Sequence, residues 1–198
     1  MYARDWQKIG GKIVMQLQVI DFHARFMQDY MQWCQEHEEL AKEEEHLEER
    51  FYDLYDSWME SPKEWLDGKS PMQYFHEIGD ARLYVSAMIE YILEEVELPD
   101  PLLHCLFEQK EEIYPIFLGI LYVDNLEDKE VTPEQLLEIQ GHIVSLLEQM
   151  QMPHPYEQYL NILRDLQEDS LFAEEATAAL AEAGEKVREQ VFEAYAVA

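Results

Sequence analysis

The run Glu43-Glu44-Glu45-His46 contains a Glu-x-x-His spacing, which puts a carboxylate and an imidazole about one helical turn apart. In four-helix bundles that motif, present twice and completed by two further inward glutamates, binds a pair of iron or manganese ions. A second copy is absent here: Glu138 and His142 are four residues apart, and His104 has no carboxylate three residues before it. Glu43 and His46 are therefore the metal candidates of the chain, and with nearby carboxylates they define one alternative, a metal-dependent helical enzyme. The charge run around them fits a solvated helix face better. Cys34-Gln35-Glu36-His37 sets a thiol and an imidazole three residues apart. A nucleophile–base pair also needs an orienting group and an oxyanion donor. Cys34 closes an apolar seam, where a thiol packs as a small hydrophobe. His76-Glu77-Ile78-Gly79-Asp80 lacks the second histidine of the zinc-protease helix. Asp124-Asn125-Leu126 fails the calcium-loop pattern at its third position. No glycine-rich phosphate loop and no nucleophile elbow occurs. The sequence names no catalytic residue and no cofactor.

A second group of residues suits binding rather than reaction. Phe51, Tyr52, Tyr55 and Trp58 lie among Asp53, Asp56 and Glu60. Positions 51, 55 and 58 share a helix face and predict packing, whereas Tyr52 falls off that face and predicts exposure. Aromatic rings flanked by carboxylates hold Lys and Arg side chains through cation–π and ionic contacts. The candidate partner-binding residues are therefore Tyr52, Asp53, Tyr55, Asp56 and Trp58.

Charge says which partners such a surface would take. The 198 residues carry 43 acids and 14 bases, a net charge of -29. Phosphate recognition needs clustered Lys and Arg, so a nucleic-acid partner is not expected, and anionic membranes are disfavoured for the same reason. A basic protein or peptide is the natural partner class. Another alternative is an acidic mimic of DNA that occupies a nucleic-acid-binding protein. The charge is uneven: residues 1–35 hold 3 acids and 4 bases, while residues 36–60 hold 11 acids and 2 bases. Apolar residues make up 47% of the chain, enough for a packed core. Cys34 and Cys105 make neither a disulfide framework nor a metal finger. The first residues do not read as a secretory signal, and no stretch reaches the 18 or so apolar residues of a membrane span. The expected location is the cytoplasm.

Helices must position all of these groups. From Lys12 to Glu60 there is no Gly or Pro, and Ile13, Leu17, Ile20, Ala24, Met27, Met31 and Cys34 follow a heptad rhythm. A second seam, Phe26, Tyr30, Trp33, Leu40, Leu47, Phe51, Leu54 and Trp58, overlaps it. One helix from 13 to 60 would be about 72 Å long. A break near Gln35 to Leu40 would instead fold it into an antiparallel pair, and the sequence leaves both open. The seam at the N-terminal helix would pair with later helices of the chain or, in a homodimer, with a second copy. Beyond residue 60, helix starts are expected at Pro62, Pro71, near Asp80, and at Pro101, Pro133, Pro155 and near Ser170. Three of these sit in Ser/Thr-Pro-x-Glu/Gln runs, beginning at Ser61, Ser70 and Thr132, that fit a capping box with proline at the first helical position. Pro115, inside an apolar stretch, should start or kink a helix. In Trp65-Leu66-Asp67-Gly68-Lys69-Ser70, the expectation is that Trp65 packs, Gly68 turns the chain and Ser70 caps. No segment alternates with period two, so no sheet is expected.

The segment Gln167 to Glu185 resembles the second helix of a HEAT repeat, with Phe172, Ala176, Ala179, Leu180 and Gly184 at the pattern's positions. Ala173 stands where the family usually has arginine. The resemblance covers about 40 residues and implies an armadillo-like α-solenoid with a concave protein-binding face, Tyr156 to Leu166 being the first helix of the pair. In that pattern Gly184 ends the helix and Glu185 to Tyr195 opens a further pair. The expectation for the whole is an all-α protein. A long N-terminal helix or helical hairpin, residues 1–60, precedes a short HEAT-like superhelical stack of antiparallel helix pairs, residues 61–198. Its role would be a non-enzymatic interaction module.

Overall fold

The computed structural model describes residues 6–9, 12–15, 18–37, 47–126, 130–166 and 170–196. Among these the fold is helical, with one short antiparallel ladder between β1 (Trp6–Ile9) and β2 (Lys12–Met15), Trp6 facing Met15. The chain divides into two compact units, one ending at Gln109 and the other beginning at Lys110.

In the first unit the N-terminal seam does not run as one helix. Ile13 belongs to β2, and α1 (Phe22–Glu36) begins only after Asp21, whose carboxylate accepts from Ala24 N–H at 2.7 Å. Sheet is therefore present where none was expected. The residues before Asp21 include β-branched Ile13, Val14, Val19 and Ile20, which favour extended backbone, and Asp21 gives the helix a strong cap. Of the two alternatives for residues 13–60, the break is the one found. Helix α1 stops at Glu36, and α2 (Leu47–Glu60) packs back against it. The pairing is antiparallel. Tyr30 meets Phe51 at 5.0 Å between ring centroids, Phe26 meets Trp58 at 5.8 Å, and Phe22 meets Trp65, beyond the end of α2, at 5.9 Å. The packed face is thus the second seam, Phe26 and Tyr30. Of the heptad seam, Ala24 and Met31 are exposed, Met31 by 55%.

The next turn separates two proline signals that look alike in sequence. Ser61 does not start a helix: its hydroxyl donates to the Trp58 carbonyl at 2.9 Å and finishes α2. A bridge between Lys63 and Lys69 then encloses a single 3-10 turn, Glu64–Leu66. That loop closes through Asp67 and Gly68, both at positive φ. Ser70 makes the full capping box of α3 (Pro71–His76) with Gln73. Asp80 caps α4 (Ala81–Leu93), and α5 (Asp100–Glu108) follows Pro99. Phe75, Tyr84, Met88, Tyr91, Leu102 and Leu106 form the core of this unit. The Tyr91 hydroxyl donates to the Ile20 carbonyl at 3.0 Å and so ties the segment before α1 to α4.

The second unit holds α6 (Lys110–Leu121), α7 (Pro133–Gln149), α8 (Tyr156–Asp165) and α9 (Leu171–Ala196). Pro115 lies inside α6, where it deprives the Glu111 carbonyl of a donor, and starts no helix. Thr132 and Gln135 make a full capping box on α7. Phe172, Ala176 and Ala179 are buried, but Gly184 sits within α9 and does not end it. No new helix opens at Glu185. The neighbouring alanines have the highest helix propensity of any residue and carry α9 through one glycine, which costs about 1 kcal/mol. The glycine that matters for packing is Gly141 on α7. A Cβ there would lie 2.7 Å from Phe172 N and 2.8 Å from the Leu171 carbonyl carbon. Its absence lets the start of α9 rest on the α7 backbone.

Candidate functional site

Three aromatic residues on α2, Phe51, Tyr52 and Tyr55, face one cleft of the first unit together with Asp56. The opposite wall is the segment Glu97-Leu98-Pro99-Asp100, and His23 of α1 closes one side. The cleft encloses about 230 Å³. Its second wall is set by the end of α4. There Val96 N–H bonds back to the Tyr91 carbonyl and Glu95 N–H to that of Ile92, a helix stop that puts Glu95 at φ 54°. Pro99 then enters α5 in extended backbone, and Asp100 occupies its first turn, where a carboxylate complements the helix dipole.

The carboxylates gather around one phenol. Burial pushes the Tyr55 hydroxyl well above the usual tyrosine range, and Asp100, by charge and hydrogen bonding, adds to the effect, followed by Glu97 and Asp56. Tyr52 is the exposed edge of the site, 66% open to solvent, with its ring perpendicular to that of Phe51 at 5.8 Å. Among the described residues, no lysine or arginine pairs with Asp56, Glu97 or Asp100. The cleft is therefore an aromatic-walled space carrying three carboxylates that no described lysine or arginine pairs.

Tyr52, Tyr55 and Asp56 of the sequence candidates line it, and the other two do not. Asp53 is exposed on another side of α2. Trp58 is buried: its indole N–H donates to Asp29 at 2.6 Å, and the Lys63 ammonium lies 4.1 Å from its ring centroid. A cation of the chain itself already occupies that ring, so Trp58 belongs to the α1–α2 interface. The residues that sequence reasoning missed are His23, Glu97, Leu98, Pro99 and Asp100. Pro99 and Pro101 mark a helix start, yet nothing in their spacing says that it faces α2, some 45 residues earlier.

Glu43 and His46 lie outside the described residues. The His37 Nδ1 is 2.9 Å from the Trp33 carbonyl and its ring stacks on Trp33, while Cys34 contacts the Tyr30 hydroxyl. His76 and His104 both approach Glu108, at 3.8 and 3.3 Å. Among the described residues no three His, Cys, Asp or Glu side chains converge to hold a metal ion, and no helix is long and apolar enough to cross a membrane. No protein-family model, curated protein or solved structure matches the chain.

Proposed function

We propose that this protein is a non-enzymatic interaction module that engages a basic protein or peptide, and that the cleft between α2 and the start of α5 receives a cationic side chain of that partner. The observation carrying this reading is the set of three carboxylates, Asp56, Glu97 and Asp100, with no lysine or arginine pairing them among the described residues and aromatic rings beside them. Like charges held together are unfavourable, and a bound cation relieves their repulsion while the rings shield it from water. The finer reading of the fold, a short HEAT-like stack, draws support from the burial of Phe172, Ala176 and Ala179.

A titration with a labelled ten-residue peptide of alternating Arg, Lys and Gly tests the cleft against bulk charge. One variant carries D56N, E97Q and D100N. The control carries E111Q, E112Q and E134Q, three exposed acids of the second unit. The cleft variant should lose at least about tenfold in affinity, since hydrogen bonds to charged groups contribute about 1.5–3 kcal/mol each, and the control should change little. Equal losses in both variants would show that only net charge attracts the peptide, and the proposal would fail.

A further inference from the structure

We infer that the cationic group this cleft selects is the guanidinium of arginine rather than the ammonium of lysine. The inference rests on the proposed cation-binding role and names its ligand. Three carboxylates offer six oxygens on two walls, and Tyr55 engages only Asp100 among them. A guanidinium presents five N–H donors in a fixed planar fork, whereas an ammonium presents three on one point. The fork can reach Asp56 on α2 and the Glu97–Asp100 wall at once. Tyr52 stands exposed beside them, its ring perpendicular to Phe51 and accessible to a flat ion. Guanidinium stacks on such faces and sheds its hydration more readily than ammonium does.

The remaining lining suits this choice. Leu98 and Pro99 give the wall an apolar stretch that suits the methylene stem of a long side chain. The volume of about 230 Å³ leaves room for one such side chain. The molecule also stacks a guanidinium in this way elsewhere: Arg25 lies over the Trp65 ring at 4.2 Å from its centroid. His23 also faces the cleft, so the three ligands are compared at one fixed pH.

The test uses three blocked tripeptides, acetyl-Gly-X-Gly-amide with X as arginine, lysine or citrulline, titrated into the full chain. Amide NMR shifts of residues 52, 55 and 100 report the site and give Kd. Arginine should bind roughly tenfold tighter than lysine, the ratio that one extra charge-assisted hydrogen bond supports. Citrulline, isosteric and uncharged, should leave the shifts unmoved. Tyr52→Ala, at an exposed position that leaves the fold intact, should weaken arginine more than lysine. If lysine binds as tightly as arginine and D56N with D100N abolishes both, the guanidinium inference is overturned while the cation cleft stands. If none of the three peptides moves the cleft amides, both fall together.

Discussion

Gly141→Ala sets two effects of known size against each other. Alanine is the better helix former by about 0.8–1 kcal/mol, so propensity alone makes the substitution stabilising. The added methyl, however, would lie 2.7 Å from Leu171 Cγ, 2.7 Å from Phe172 N and 2.8 Å from the Leu171 carbonyl carbon. Ordinary contact begins near 3.4 Å, so the start of α9 must retreat by more than half an ångström. Two of the three atoms are backbone and cannot swing aside. The retreat loosens Phe172, which is fully buried with its ring edge against Tyr159 at 5.9 Å. Overpacking of this kind costs about 1–3 kcal/mol, so the clash outweighs the propensity gain and the variant should lose about 1–2 kcal/mol. Gly184→Ala is the internal control. Gly184 also sits within a helix, with nothing within 4 Å of its Cβ position, and should gain up to about 1 kcal/mol. Urea unfolding followed by far-ultraviolet circular dichroism reads both, since all four tryptophans belong to the first unit and would not report on this one. A Gly141→Ala midpoint equal to or above that of Gly184→Ala would refute the reasoning.

Four further outcomes are expected. Ser70→Ala and Thr132→Ala should each cost about 1 kcal/mol, because each hydroxyl caps a helix in a complete box. Ser61→Ala should cost less, and equal losses in all three would mean that the caps do not matter as described. Gln151→Gly should stabilise the second unit by about 1 kcal/mol, measured as a higher urea midpoint, since Gln151 holds φ 55° at the end of α7. Burial pushes the His142 imidazole below its ordinary range, with Glu138 and Glu175 pulling it back. The unfolded chain therefore binds that proton more readily than the folded one, so this contribution to stability is full above about pH 6.5 and is lost as pH falls from there through the lower folded value. H142Q should flatten the urea midpoint between pH 7 and pH 5, and an unchanged slope would contradict the assignment. Trp58→Ala should cost about 3–5 kcal/mol, while Tyr52→Ala should stay within about 0.5 kcal/mol. Equal losses would remove the distinction between a packing ring and a binding ring on α2.

The parts of this architecture that sequence revealed are those governed by neighbours in the chain. The caps at Ser70, Asp80 and Thr132 and the turn at Gly68 depend on residues three or four apart, and each is found where its residues predict it. Ser61 shows the limit. Its Ser-Pro-x-Glu run satisfies the same local rule, but the hydroxyl has a nearer acceptor in the Trp58 carbonyl, and the bridge from Lys63 to Lys69 holds the chain in a loop. Gly184 fails for a related reason: the rule that glycine ends a helix competes with a run of alanines that continues it. Which seam of α1 is buried was illegible because both have helical spacing. Only the bulk of Phe26 and Tyr30 against α2, a contact across the chain, decides it. The cleft was half legible for the same reason, its α2 wall being local and its Glu97–Asp100 wall not.

Three cations of the first unit are engaged away from the cleft. Lys63 lies over Trp58, where burial lowers its pKa against the pull of Asp29, and it donates to Ser61. Arg25 lies over Trp65, and Lys69 pairs with Glu77. All three gather at the 3-10 turn beyond α2 or on the part of α1 that faces it. Tyr55 stands one turn before Trp58 on the same helix, with its ring edge-on to Phe26 at 4.9 Å, yet the charged groups acting on its hydroxyl are carboxylates. Folding stability would be served by moving one cation a single turn along α2, since an opposite charge between Asp56 and Asp100 would relieve their repulsion. Two of the chain's few bases lie on Trp58 and Trp65 and a third pairs with Glu77, and under the proposed function the Tyr52–Tyr55 surface takes its cation from outside. On that reading two rings one turn apart divide their roles, Trp58 packing between α1 and α2 and Tyr55 lining the cleft.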